Sequence, residues 1–270
     1  MINRNTVKTR FTEYVEHYDA SDPKVRLKII HTEQVAKMCD AISAGLGLSE
    51  PDRDLAWLTG MLHDIGRFEQ LRRYHTFFDR ISVNHAQLSA DLLFRDGLIR
   101  SFTGPSADDP LIEKVIRLHN VFALPDRLTE RERMFCGLLR DADKIDIMRV
   151  NCETPLSEIY DMPEESFRTT RISDDVFRDA VSCQNVNREH SKTAVDYMVG
   201  HICFVFGLVY PVSIRLVKEQ GYLDRMLDFH SDVPETEERL QEIRETVQLY
   251  LKKDFSKAFL KPNFKTYGQK

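Results

Sequence analysis

The chain is poor in cysteine and places none of it at metal-ligand spacing. Cys39, Cys136, Cys152, Cys183 and Cys203 form an odd set without a Cys-x-x-Cys pair. That argues against a disulfide framework or a cysteine zinc site and for reduced thiols in a cytoplasm. Long apolar runs are also missing. The longest, Ile202 to Tyr210, is too short to span a bilayer and is closed by Pro211. The residues after Met1 carry no apolar run of signal-peptide type. The expectation is a soluble, cytoplasmic protein with no membrane partner. Positive charge is not in excess: the formal net charge is −5, which argues against a nucleic-acid polymer as partner, since a phosphate backbone needs a basic face. No internal repeat, low-complexity segment or series of alternating strands stands out. Gly45 and Gly47 are followed by neither a dinucleotide fingerprint nor a Walker-type lysine. No serine or cysteine nucleophile motif is present.

What is present is helical periodicity. With 270 residues, 42% of them hydrophobic, the chain can bury a sizeable core, and we expect an all-α fold forming one helical domain over residues 1–270. A short helix is expected over 11–19. Asp22-Pro23 supplies an N-cap and a first-turn proline to a helix carrying Leu27, His31, Gln34, Val35, Met38 and Ile42 on one face, ended by Gly45-Leu46-Gly47. Ser49 to Asp52 has capping-box spacing and opens a buried helix through Leu55, Trp57, Leu58 and Leu62. That helix delivers His63-Asp64 at its end, with Gly66 expected to turn the chain. Residues 67–83 look irregular and are rich in arginine and aromatics. A helix over 84–94 aligns His85, Leu88 and Leu92. Residues 101–110 form a loop by composition, and a helix from about Asp109 places Ile112, Val115 and His119 on one side. Thr129 and Glu132 box the start of another, with Cys136, Leu139, Asp143 and Ile147 on a shared face. Residues 151–270 are expected to be a helical extension packed on this core.

His31, His85, His119 and Asp143 each lie on an apolar stripe, and His63-Asp64 ends another. Buried polar groups need partners. A metal site satisfies all of them at once, and a carboxylate at the inner end of a buried helix is costly without a counter-charge. Imidazole with carboxylate suits Fe, Mn, Zn or Co better than Ca or Mg. Six protein ligands are too many for one catalytic zinc, whereas two divalent transition-metal ions sharing Asp64 use the set economically.

The order His31, His63-Asp64, then Asp143 within Asp141-Ala142-Asp143-Lys144-Ile145-Asp146 resembles the HD-domain superfamily of metal-dependent phosphohydrolases over about residues 24–150. The run from His63 to Tyr74 resembles a bacterial subgroup of that superfamily. His85 and His119 resemble the additional ligands of its two-metal members. The likeness implies a first metal on His31, His63, Asp64 and Asp143. A second would sit on Asp64, His85 and His119, with water or hydroxide between the two. Arg67 stands where the superfamily's cyclic-dinucleotide phosphodiesterases carry lysine, and their Gly-Tyr-Pro and paired His-His motifs are absent.

The resemblance implies hydrolysis of a phosphate ester or anhydride, of a nucleotide or related small metabolite, by metal-activated hydroxide. Asp64, Arg67 and Lys144 are the expected catalytic residues. Arginine can grip a phosphate with two parallel hydrogen bonds. Arg67, Arg72, Arg73, Tyr74, His75 and Lys144 are the expected substrate contacts, from a stretch that also offers Phe68, Phe77, Phe78 and Arg80. Two rivals stand beside this reading. The same ligand order resembles the HD-type di-iron oxygenases that cleave carbon–carbon or carbon–phosphorus bonds, and a non-catalytic nucleotide or metal sensor would need only binding. The later helices are expected either to cap the cavity or to form a homodimer surface. His190 and His201 match no ligand pattern and are read as structural.

Overall fold

The computed structural model describes residues 2–255, and no strand occurs among them. The fold is all-α. The chain divides into two compact units, Met1–Asp146 and Ile147–Lys270. The end of the expected C-terminal extension, residues 256–270, lies outside the described residues.

The first unit opens with α1 (Arg4–Val15), capped by Asn3 and starting earlier than the expected 11–19. Helix α2 (Pro23–Gly45) begins as its sequence dictates, with the Asp22 carboxylate accepting from the Lys24 N–H and proline in the first turn. Ser49 caps α3 (Glu50–Leu62). The two helices approach closely at Gly60, where a Cβ would lie 2.7 Å from Ala36 Cα. Arg4 ties α1 to both, bonding Asp40 and Asp54.

Two expectations fail just after α3. Gly66 does not turn the chain: it lies inside α4 (Ile65–Tyr74), which starts two residues after α3 has capped at His63. The bend is made instead by Asp64, whose φ of −105° and ψ of 14° break the helical path. Nor are residues 67–83 irregular throughout. Helix α4 runs to Tyr74 and closes on His75 in the left-handed region, φ 57°. Glycine at 66 serves contact, since a Cβ there would meet Ser89 N at 2.6 Å. The Gly66 N–H donates to Ser89 Oγ. On the far side of α4, Phe11, Tyr14 and Tyr18 surround the Phe68 ring.

The irregular stretch is shorter, 75–84, with one tight helical turn at Asp79–Ile81. Asn84 then caps α5 (His85–Ala90), which widens into a π-helical turn at Asp91–Arg95. Helix α6 (Ile99–Phe102) and α7 (Asp109–Leu118) follow. The expected box opens α8 (Glu130–Glu153): Thr129 and Glu132 each bond the other's backbone N–H. Buried Arg140 of α8 donates to the carbonyls of Leu118, His119, Val121 and Phe122, holding the chain where it leaves α7.

The second unit contains α9 (Leu156–Tyr160), α10 (Glu164–Thr169), α11 (Asp174–Val181), α12 (Ala194–Ile202), α13 (Pro211–Gln220), α14 (Tyr222–Leu227) and α15 (Pro234–Leu251). The apolar run Ile202 to Tyr210 is therefore the end of α12, a tight helical turn at Cys203–Gly207 and the lead into α13. Fully buried Asp196 completes the Thr193 capping box and also accepts from Ser173. His190 pairs with Asp179, and His201 Nδ1 meets the Tyr160 hydroxyl at 2.7 Å.

Candidate metal centre

The six expected ligands come from five places in the first unit. His31 lies on α2, His63-Asp64 at the joint of α3 and α4, and His85 at the start of α5. His119 lies just past α7, and Asp143 on α8. Each helix buries the stripe that carries its ligand, so core packing delivers the donor atoms. All four histidines and Asp64 are buried.

The donors face one another in two halves about Asp64. Its Oδ2 lies 3.7 Å from His31 Nε2 and 3.6 Å from His63 Nε2. Its Oδ1 lies 3.6 Å from His85 Nε2 and 3.7 Å from His119 Nε2. Asp143 Oδ1 joins the first half, 3.1 Å from His31 Nε2 and 3.8 Å from His63 Nε2. In the second half the Nε2 atoms of His85 and His119 are 3.0 Å apart.

The tautomers follow from the outer partners. His63 Nδ1 bonds the Gly60 carbonyl at 2.8 Å and His119 Nδ1 the Ile116 carbonyl at 2.7 Å. A carbonyl only accepts, so both Nδ1 atoms carry hydrogen. His31 Nδ1 meets Asp146 and His85 Nδ1 meets Asp79, each at 2.7 Å, and donates to the carboxylate. Every neutral imidazole therefore turns a bare Nε2 lone pair inward. Two such lone pairs at 3.0 Å repel unless a cation lies between them. His63 Nε2 and Asp64 Oδ1 are buried without a hydrogen-bond partner.

A metal answers these observations. Donors about 2.0–2.2 Å from one ion lie roughly 2.8–3.6 Å apart at octahedral or tetrahedral angles, close to the spacings found. His31, His63 and Asp64 form one group with metal-holding geometry, and Asp64, His85 and His119 a second. Nitrogen with carboxylate oxygen is a transition-metal donor set, and fixing Nδ1 by an outer partner is the usual way to orient a histidine ligand.

Electrostatics prepare the same groups. Burial, then the Arg67 charge, pushes His85 down to about 3. Burial and neighbouring His63 push His119 down to about 4. Burial lowers His63 as well. These imidazoles are neutral at pH 7, as ligation requires. Burial opposes the charge on Asp64, yet Lys28, His63, Arg67 and His85 hold its carboxyl well below the usual range. Burial and Lys28 oppose a proton on His31, but its bonds to Asp143 and Asp146 prevail and raise it.

The expected substrate contacts divide. Arg67 reaches the cluster, with Nη2 3.3 Å from His85 Nε2 and Nε 3.7 Å from Asp64 Oδ1. Lys144 is buried beside Asp143. Arg72 and Arg73 are drawn instead to Glu69, and Tyr74 and His75 are exposed where α4 ends. The structure does not bring those four to the cluster.

Several residues were not singled out from sequence. Asp146 and Asp79 orient His31 and His85. Gln70 donates to Asp79 and to the Val83 carbonyl, and the Arg67 Nη1 donates to the Phe77 carbonyl. Lys28 donates to Asp64 Oδ2 at 2.8 Å. Two had a signal: Lys28 stands three residues before His31 and Asp146 three after Asp143, each pair on one helix face. Asp79, in the loop before α5, had none.

Among curated proteins and among solved structures, no match to the chain is found. A family model does match: the HD domain, over residues 29–148, a segment that contains all six clustered residues. Residues 29–148 are thus similar to the HD domain, a domain that marks metal-dependent hydrolases.

Proposed function

We propose that the protein is a phosphohydrolase with a dinuclear centre, cleaving a phosphate ester or anhydride of a nucleotide or related small metabolite. The observation that carries the reading is the paired cluster, two histidine Nε2 atoms against each Asp64 oxygen, with every Nδ1 already spent. Two divalent ions held there would activate water for attack and draw charge from the phosphoryl oxygens.

The chain's own residues do the rest. His31, His63, Asp64 and Asp143 would hold one ion, and Asp64, His85 and His119 the other. Arg67 Nε is buried without a hydrogen-bond acceptor, its nearest carboxylate oxygen being Asp64 Oδ1 at 3.7 Å, and it can donate to a phosphoryl oxygen there. Its Nη1 is fixed by Gln70, Phe77 and Asp79, so the guanidinium is already oriented and adds charge stabilisation without reorganising. Lys144 is the second candidate cation. Helix packing keeps bulk water from the inner face, since His63 and Asp64 are nearly inaccessible. A small phosphorylated molecule is the partner class this reading implies. No helix of the described residues is long and apolar enough to cross a membrane.

The test is metal content on anaerobically purified protein together with phosphate release over a nucleotide and phosphoester panel. About two metals per chain with phosphate release is the expected result. A His63→Ala/Asp64→Ala double variant should lose metal and turnover while circular dichroism shows helicity retained. Full metal content in that variant would overturn the site, and oxygen uptake without phosphate release would replace the hydrolase with an oxygenase.

A further inference from the structure

Both oxygens of Asp64 are faced by a cation from the chain. Oδ2, on the side of His31 and His63, accepts from Lys28 Nζ at 2.8 Å. Oδ1, on the side of His85 and His119, faces Arg67 Nε at 3.7 Å. The two cations converge on one aromatic ring: Lys28 Nζ lies 5.4 Å and the Arg67 guanidinium carbon 5.5 Å from the centroid of Phe77. Both side chains are mostly buried, 15% and 13% exposed. Lys28 precedes the segment that the HD model matches.

The Lys28–Asp64 pair conflicts with a loaded site. An ammonium and a divalent ion on the same carboxylate oxygen repel strongly at low dielectric. Formal charge points the same way. Asp64, Asp143, Asp79 and Asp146 balance two divalent ions, buried Asp141 offsets buried Lys144 three residues on along α8, and Lys28 with Arg67 then leaves two positive charges over. A terminal phosphate dianion cancels them.

We propose that Lys28 is a substrate-contacting residue of this chain, released from Asp64 when the metals bind. It then binds, across Phe77 from Arg67, the terminal phosphate of a phosphomonoester substrate. This rests on the hydrolase reading and narrows it to monoesters. Lysine sits on α2 one turn before His31, so the helix that delivers a ligand also fixes how far the ammonium can reach.

The test uses the full chain loaded with Mn²⁺, with inorganic phosphate as the probe and metal content measured in parallel. Wild-type protein should bind phosphate. Lys28→Met should load metal at the same or lower free Mn²⁺ and bind phosphate about ten- to a hundredfold more weakly, the worth of one charge-assisted hydrogen bond. Lys28→Arg should restore most of that binding. Phosphate binding by Lys28→Met within about twofold of wild type, under the same measurement, overturns the proposal. So does loss of metal from Lys28→Met, because the lysine would then be holding Asp64 in place for the ions. Metal-loaded wild-type protein that binds no phosphate overturns it as well. Wild-type protein that takes up no metal fails at an earlier point and removes the hydrolase reading itself.

Discussion

Each inward-facing histidine nitrogen in this cluster is aimed by a partner on the other side of its ring. His31 and His85 use carboxylates, Asp146 and Asp79, whereas His63 and His119 use backbone carbonyls. The carboxylates can be changed without touching a ligand. Asp146→Asn should weaken one ion and Asp79→Asn the other, each by about 10–100-fold. Titration against a chelating indicator should then show two unequal affinities, with the weakened class switching between the variants. At this scale the sequence was informative where a polar residue interrupted an apolar helix stripe, which is why His31, His85, His119 and Asp143 could be picked out. It was silent on Asp79, because a loop has no period to interrupt. Arg72 and Arg73 were read toward the substrate although Glu69 stands three and four residues before them, the spacing of a helix ion pair. In the structure that local pairing prevails.

Helices set the ligand spacing, and two glycines set how closely the helices meet. At Gly66 an added methyl would lie 2.6 Å from Ser89 N and 3.0 Å from the His85 carbonyl, so backbone must shift. Gly66→Ala should cost about 1–3 kcal/mol by overpacking, read from urea unfolding. The same shift moves His85, so affinity for the ion bound by Asp64, His85 and His119 should fall while the other is spared. Retention of both affinities would show that α4 and α5 separate without disturbing the cluster. Helix starts were legible because caps are local: Asp22-Pro23, Ser49 and the Thr129–Glu132 box act within a few residues. Gly66 was misread because its reason lies in Ser89, remote in sequence, and a glycine after a helix more often turns the chain.

For the molecule as a whole, buried neutral imidazoles make stability depend on pH. His85 and His119 have folded values of about 3 and about 4, against an ordinary 6.5. Above 6.5 neither state binds the proton and nothing changes. Below it the unfolded chain takes up protons that the folded chain refuses, so the metal-free fold weakens as pH falls from 6.5 toward those values. The loss is about 2 kcal/mol for each of the two at pH 5. His63 acts in the same direction, and His31, raised by its carboxylates, opposes it. Asp64 and Asp143 are depressed, so their contribution is lost only below the carboxylate range. Chelator-treated protein should therefore melt at a lower temperature at pH 5 than at pH 7.5, and an unchanged midpoint would contradict neutral buried imidazoles. The all-α class was legible from periodicity and composition. The division after Asp146 was not, since no polar or proline-rich linker marks it and α8 runs through the position.

The contact from His31 to Asp146 spans 115 residues, which gives the centre a history during synthesis. A ribosome adding about 5–20 residues per second needs roughly 6–23 s to travel from one to the other. Late in that interval the emerging chain carries His31, His63, Asp64, His85 and His119 without the α8 carboxylates Asp143 and Asp146. The nascent protein thus presents five of the six clustered residues, the group of Asp64, His85 and His119 complete among them, before α8 exists. Any ion that first occupied the centre would then be chosen by timing against the local metal supply as well as by final affinity.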